Sequence, residues 1–309
     1  MKVLVLGGNG FIGSHLVDKL LREGHSVRVF DKNEERYREA LPSVDYHLAE
    51  FGNRGLLSDA LNGIDVVVHL ISTTLPKTSN DDPVFDVQSN VIETLFLLEQ
   101  CVANKIKKII FTSSGGTVYG VPQSVPVLEE SQTNPICSYG ISKLTIEKYL
   151  ELFKQLHNLD YVIIRPSNPF GSRQNPFGIQ GAIPVFLGKI LRNEPIQIWG
   201  TGDVVRDYIY VEDLVDAFYC AIKINTPSRV FNIGCGKGNS LNDLLAVMKN
   251  VTGRNLSVTY SKPRSYDVPE IYLDITRASN EFNWEPCNSL EQGIKHTWDF
   301  VKSLTRENS

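Results

Sequence analysis

The chain has 309 residues, of which 42% are hydrophobic and 21% charged, and its formal net charge is −4. That length allows one large globular domain or two modest ones, with a substantial core. A weak negative charge without a basic cluster argues against a nucleic-acid partner, and no apolar run approaches the roughly 18 residues that span a bilayer. The five cysteines are scattered and show no C-x-x-C spacing, which predicts a reduced, cytoplasmic setting and no structural metal.

In chain order, Lys2–Leu6 predicts a strand and Phe11–Arg22 a helix. Ser26–Phe30 and Val66–Leu70 follow as strands, with a short helix at Leu56–Leu61 between them. Unbroken apolar strands of this kind suit a parallel sheet covered on both faces. Next come a long helix at Val84–Ala103, a strand at Lys107–Thr112, a second long helix at Tyr139–Leu156 and a strand at Tyr161–Arg165. Such alternation predicts an α/β fold with a Rossmann-type doubly wound parallel sheet.

After Pro166 the texture changes. PSNPFGSRQNPFG is rich in Pro, Gly and Asn and predicts a long functional loop. Shorter pieces follow: a helix near Pro184–Leu191, strands near Ile196–Trp199 and Asp207–Tyr210, helices at Glu212–Ile222 and Ser240–Val251, and a last helix from near Ser289. The expected division is therefore 1–166, a dinucleotide-binding domain, and 167–309, a smaller α/β substrate-binding part from which a segment can return to the first sheet. A cleft between the two is the default ligand site.

The stretch VLVLGGNGFIG places glycines where the first strand turns into its helix, the place where a dinucleotide pyrophosphate meets a helix N-terminus. Two registers are present. Gly8, Gly10 and Gly13 read G-x-G-x-x-G, whereas Gly7, Gly10 and Gly13 read G-x-x-G-x-x-G. Asp31 ends the next strand, where a carboxylate accepts from both ribose hydroxyls and repels a 2′-phosphate, so NAD is favoured over NADP; Lys32 softens that preference.

A second set lies further on. IIFTSSGGTVYG ends a strand in two serines and two glycines, and SYGISKL puts Tyr139 and Lys143 one helical turn apart on one face. A free tyrosine titrates near ~10, too high for a base at neutral pH. A neighbouring ammonium and a positive nicotinamide ring favour the phenolate, and Ser114 can hydrogen-bond the same substrate hydroxyl.

The glycine turn, Asp31, Ser114, Tyr139 and Lys143 resemble the extended short-chain dehydrogenase/reductases, in particular enzymes like UDP-glucose 4-epimerase. The resemblance covers nearly the whole chain, because IWGTGDVVRDYIYVEDLVDA, FNIGCGKGNSL and KPRSYDVPEIYLDITRA also match the family's pattern. It selects Gly7, Gly10 and Gly13 as the relevant register. It implies a tightly held NAD contacted by those glycines, Phe11, Ile12, Asp31, Lys32, Glu50, Phe51, Leu70, Asn90, Tyr139, Lys143 and Pro166. It also implies a sugar nucleotide held by Ser114, Tyr139, Asn168, Gln197, Arg206 and Arg264, the two arginines clamping the diphosphate. His69 is expected to be structural. The family also implies a homodimer packed through Val84–Ala103 and Tyr139–Leu156.

The chain departs from the family in several places. Ala49-Glu50-Phe51 stands where G-D-[LI] is usual, Thr74 stands where UDP-galactose epimerases carry a lysine, and Glu93 replaces a small residue after Asn90. Ile271 falls at the position whose bulk gates N-acetylated sugars. Dehydratases place an Asp–Glu pair directly after the Ser/Thr, where this chain has Gly115 and Gly116. What remains is hydride removal and return at one carbon, which makes a sugar-nucleotide 4-epimerase acting on UDP-glucose or UDP-N-acetylglucosamine the leading expectation. A dehydratase or reductase of the same family is the rival. A non-catalytic NAD-binding regulator is a third reading, although such proteins usually break the Ser–Tyr–Lys set.

Overall fold

The computed structural model describes residues 1–263 and 268–306, so Arg264 and Asp267 lie outside the described residues. The first half runs β1 (Lys2–Leu6), α1 (Phe11–Arg22), β2 (Ser26–Asp31), β3 (Val44–Leu48), α2 (Arg54–Leu61), β4 (Val66–His69), α3 (Pro83–Asp86), α4 (Glu93–Ala103), β5 (Lys108–Thr112), α5 (Ser138–His157) and β6 (Asp160–Pro166). The second half runs β7 (Asn168–Phe170), α6 (Ala182–Leu191), β8 (Ile196–Trp199), β9 (Val205–Arg206), β10 (Tyr208–Tyr210), α7 (Val211–Lys223), β11 (Val230–Ile233), β12 (Asn239–Ser240), α8 (Leu241–Thr252), β13 (Val258–Ser261), β14 (Glu270–Ile271), α9 (Thr276–Phe282) and α10 (Leu290–Arg306).

Seven parallel strands form the main sheet in the order β11-β6-β5-β4-β1-β2-β3. Strand order reverses between β1 and β4, and a doubly wound sheet binds ligands outside the strand ends at that switch point. Alternate residues of β1 explain why its run is apolar throughout. Val3 and Val5 pack with Leu16, Val17 and Leu20 of α1 and with Phe218 of α7. Leu4 and Leu6 pack on the other face, with Leu57 and Leu61 of α2, Leu97 and Leu98 of α4, and Ile146 of α5.

Several elements were not anticipated, the short strands β7, β9, β12, β13 and β14 among them, and three more bear on the main sheet and its core. β3 is an edge strand with only Val44 buried, so it carries no apolar run. β11 is four residues long and belongs to the other half of the chain, yet it closes the sheet beside β6, with Phe231 opposite Ile164. α9 is one short helix, whose Phe282 stacks on Phe231 at 4.1 Å between ring centroids.

The helix expected over Val84–Ala103 runs on without a break, but its centre is not α-helical. A π turn, Val87–Ile92, separates α3 from α4. Polar side chains bond back to carbonyls one turn earlier along this stretch. Ser89 Oγ donates to the Phe85 carbonyl at 2.6 Å, Asn90 Nδ2 to that of Asp86 at 3.0 Å, and Thr94 Oγ1 to that of Asn90 at 2.6 Å.

The rest of the second half pairs in small sheets: β10 with β7, β12 and β14 with β9, and β13 with β8. The return of β11 makes the two halves share one core. Phe231 is fully buried in it, so Phe231→Ala is expected to cost about 3–5 kcal/mol. Urea unfolding checks this: the midpoint falls without a new, separate transition.

Candidate active site

At the switch point, Gly7 has φ +84°, and a Cβ on Gly13 would lie 2.1 Å from the Gly7 carbonyl oxygen. The turn therefore closes on itself through Gly7 and Gly13, and the Gly10 N–H donates to the Gly7 carbonyl at 3.1 Å. α1 begins at Gly10 without a side-chain cap, so the N–H groups of Phe11, Ile12 and Gly13 have no acceptor within the helix. A row of free donors at a helix N-terminus suits a diphosphate.

Asp31 is buried at the end of β2, where its carboxylate accepts from the Asn9 N–H at 3.1 Å and the Asn33 N–H at 2.9 Å. These bonds fix the carboxylate and leave further lone pairs for ribose hydroxyls. Buried polar atoms along the same sheet edge lack partners: Asn9 Oδ1, His69 Nδ1 and Thr112 Oγ1. The tight glycine turn, the uncapped helix and the anchored Asp31 fit a dinucleotide. Leu70 sits beside them, its N–H bonded to the Leu6 carbonyl at 3.0 Å. Two expected contacts differ in character. Glu50 is exposed and pairs with exposed Lys32 at 3.7 Å, while Phe51 is a core residue tilted against His69 at 5.1 Å.

The two serines after β5 have different surroundings. Ser113 is buried and donates to Glu147, whereas Ser114 is half-buried and stands at the start of a turn whose Thr117 and Val118 N–H groups bond back to its carbonyl. That turn is pinned to β6 by the Gly115 N–H, which donates to the Pro166 carbonyl at 2.8 Å. Gly115 has no room for a side chain, because a Cβ there would meet Leu273 Cδ1 at 2.6 Å and two backbone carbonyls at 3.1 Å.

Tyr139 and Lys143 lie in the first two turns of α5. No side chain of α5 caps its start; instead Asn80 Oδ1 accepts from the Ser138 N–H at 2.9 Å and Ser79 Oγ from the Tyr139 N–H at 3.0 Å. Lys143 Nζ donates to the Thr112 carbonyl at 2.8 Å and lies 5.5 Å from the Tyr139 ring centroid. Burial pushes Lys143 down to about 8, against the pull of Asp86 and Glu147. Among the protein's own groups the expected depression of Tyr139 is absent. Burial of the hydroxyl, then Cys137 and Asp86, push it up to about 12, and only a hydrogen bond with Ser72 opposes them. The positive charge that favours the phenolate must therefore come chiefly from the nicotinamide side.

Asn90 is tied into the segment after β4. Its Oδ1 accepts from the Thr73 N–H at 3.0 Å, and its Nδ2 donates to Asp86 and Thr74. Both amide protons are thereby used, so this side chain shapes the segment after β4. Thr74 is buried and donates to Asp86. His69 is structural: Thr94 Oγ1 donates to the Asn90 carbonyl and so accepts from His69 Nε2 at 3.0 Å. Ser72, Ser79, Asn80 and Asp86 were missed at the sequence level, since isolated hydroxyls and acids in a loop carry no spacing signal.

On the substrate side, Asn168 donates through Nδ2 to the Asp207 carbonyl at 2.9 Å. Asp207 is buried, and its carboxylate accepts from the Cys235 N–H at 2.8 Å and the Leu273 N–H at 3.3 Å. Arg206 is half-buried, and the register of β14 sets Ile271 opposite it. Ile271 itself is buried in an apolar cluster with Val118, Tyr119 and Leu273, beneath the Ser114 turn. Gln197 is exposed on β8 and donates to Ser261 Oγ at 2.8 Å.

Placing a Tyr–Lys pair one strand from the switch point is the arrangement of a short-chain dehydrogenase/reductase. More narrowly, the chain belongs to the NAD dependent epimerase/dehydratase family, whose sequence profile matches residues 3–234. It is 35% identical to the UDP-glucose 4-epimerase of Mycolicibacterium smegmatis, over 99% of this chain and 100% of that protein. A dTDP-4-dehydro-6-deoxyglucose reductase of Escherichia coli is 33% identical, over 94% and 95% of the two chains. The crystal structure of UDP-glucose 4-epimerase with UDP-glucose from Thermotoga maritima matches with a TM-score of 0.94 at 36% identity, covering 99% of this chain and 100% of that one.

Burial lowers His69 to about 3 and His15 to about 4. Both folded values lie below the unfolded value, so their stabilisation is complete above about pH 6.5 and is lost as pH falls toward the folded values. Asp207, which burial raises to about 6, works in the opposite direction, so a single-site comparison isolates one imidazole. Relative to His69→Gln, the unmodified protein should lose melting temperature between about pH 7 and about pH 5. A pH-independent gap between the two contradicts a neutral buried His69.

Proposed function

We propose that the protein is an NAD-dependent UDP-sugar 4-epimerase in which Ser114, Tyr139 and Lys143 carry the proton chemistry. The observation that carries this reading is the Ser114 turn. It offers a half-buried hydroxyl, no acid at either of the next two positions, and no space for one at Gly115, so water elimination lacks its acid–base pair.

The bound NAD supplies a hydride acceptor and donor at the sugar's C4. The chain's own groups do the rest. Tyr139 takes the proton of the 4-hydroxyl and later returns one, Ser114 hydrogen-bonds the same oxygen, and the Lys143 ammonium favours the phenolate. Loss of hydride and proton leaves a 4-keto sugar, which turns its other face and is reduced at the same carbon. Arg206, together with Arg264, is assigned to the diphosphate, Asn168 to the sugar nucleotide and Gln197 to the base edge. The cofactor side is assigned to Gly7, Gly10, Phe11, Ile12, Gly13, Asp31, Leu70 and Pro166.

Residues 1–166 form the cofactor-binding part and 167–309 mainly the substrate part. Exposed apolar side chains support a homodimer built on the helices from 83 to 103 and on α5: Val84, Phe85, Val87 and Ile92 on the first, Ile141, Leu152 and Leu156 on the second. Five unpaired cysteines support a reducing, cytoplasmic setting. No helix among the described residues is long and apolar enough to cross a membrane.

A reductase is the second reading, favoured by the 33% identical relative. The two separate cleanly. Denatured protein should release NAD, and UDP-glucose or UDP-N-acetylglucosamine incubated without added cofactor should give the 4-epimer by NMR. Absence of the 4-epimer, with oxidation of added NADH or NADPH on a 4-keto-6-deoxy sugar nucleotide, marks the reductase and contradicts the epimerase; net NADH formation, or a lasting 4-keto-6-deoxy product, contradicts it as well. Tyr139→Phe should lower turnover by at least about a thousandfold while NAD stays bound.

A further inference from the structure

Asp86 is 1% exposed, and no motif accounts for it. Its carboxylate is saturated by four neutral donors from three segments. Oδ2 accepts from Ser138 Oγ at 2.8 Å and Ser142 Oγ at 2.7 Å, both on α5. Oδ1 accepts from Asn90 Nδ2 at 3.0 Å in the π turn and from Thr74 Oγ1 in the segment after β4. Ser138 and Ser142 flank Tyr139 in sequence, and Lys143 follows Ser142. The buried acid therefore grips the turn of α5 that carries both groups.

We propose that Asp86 is a positioning residue for the epimerisation, locking the π turn to the start of α5 and setting a fixed negative charge near Tyr139 and Lys143. This rests on the role given above to those two residues. A buried carboxylate held by four hydrogen bonds is rigid, so it holds the helix start in one rotation about its axis. The titratable groups that feel its charge are Cys137, at the N-cap of α5, and Tyr139 and Lys143 within α5; Lys143 is also faced by Glu147 of α5 and His69 of β4. Its charge favours the Lys143 ammonium and disfavours the Tyr139 phenolate. A tyrosine that must accept and return a proton in each turnover is served by that balance.

Asp86→Asn keeps the shape and removes the charge. With UDP-glucose it should retain bound NAD, lower kcat about tenfold with KM within about twofold, and move both limbs of the kcat–pH profile to lower pH, since both neighbouring groups lose a proton more easily. Ser142→Ala loosens the grip and keeps the charge, so it should lower kcat and leave the profile in place. An unchanged kcat, or a lowered kcat on an unmoved profile in Asp86→Asn, overturns the proposal. If Asp86→Asn does not fold, the Ser138→Ala/Ser142→Ala double variant decides, and an unchanged kcat there overturns it. Tyr139→Phe assayed in parallel separates the two ideas: activity retained in that variant refutes the site assignment itself.

Discussion

Lys143 is a buried ammonium, and the catalytic edge is arranged around the places where its charge is satisfied. An isolated cation in the interior is strongly unfavourable, so it must be hydrogen-bonded and faced by opposite charge. Nζ finds the carbonyl of Thr112 at the very end of β5 and lies over the rings of Phe111 and Tyr139. That bond ties α5 to the C-terminal edge of the sheet, where the strand order reverses one strand away. Tyr139, one turn earlier, is carried to the same edge, and the segment of 79–86 completes the hold by capping and gripping the helix start.

A second buried network places Ser114 against that helix. Glu147, one turn after Lys143, forms a two-pronged pair with Arg165 of β6 at 3.0 and 2.5 Å and also accepts from Ser113. Such paired geometry is the strong form of an Arg–carboxylate contact, and breaking one partner leaves a buried charge behind. Arg165 goes on to Tyr119, and Tyr119 donates to Asn232 on β11 at 2.7 Å. The serine turn, the tyrosine helix and the returning strand are thus one connected unit. The mixing of the two halves in the main sheet has this consequence for the site: a strand from the substrate part braces the loop that carries Ser114.

The sheet and its main helices were legible because strands buried on both faces must be apolar and their helices amphipathic. Gly7, Gly10, Gly13, Asp31, Tyr139 and Lys143 were legible because each sits at a fixed distance from an element boundary. What stayed hidden depends on contacts between distant segments. The π turn lies inside a continuous helical stretch, and nothing in its letters sets it apart from an α-helical turn. The edge strand β3 and the short strand β11 are stabilised by their neighbours more than by their own pattern. The bonds of Asn90 to Asp86 and Thr74 join a helix to a loop, which no spacing in the sequence links.

Gly115 and Gly116 bear most directly on the proposed chemistry, since on that proposal they leave the Ser–Tyr–Lys group with proton transfer and nothing more. The site is accordingly built to remove a hydride from one carbon and give it back. UDP-glucose labelled with deuterium at C4 and incubated with the protein alone tests this directly. The account predicts UDP-galactose that keeps the deuterium at C4, and exchange of that label for solvent hydrogen would contradict it.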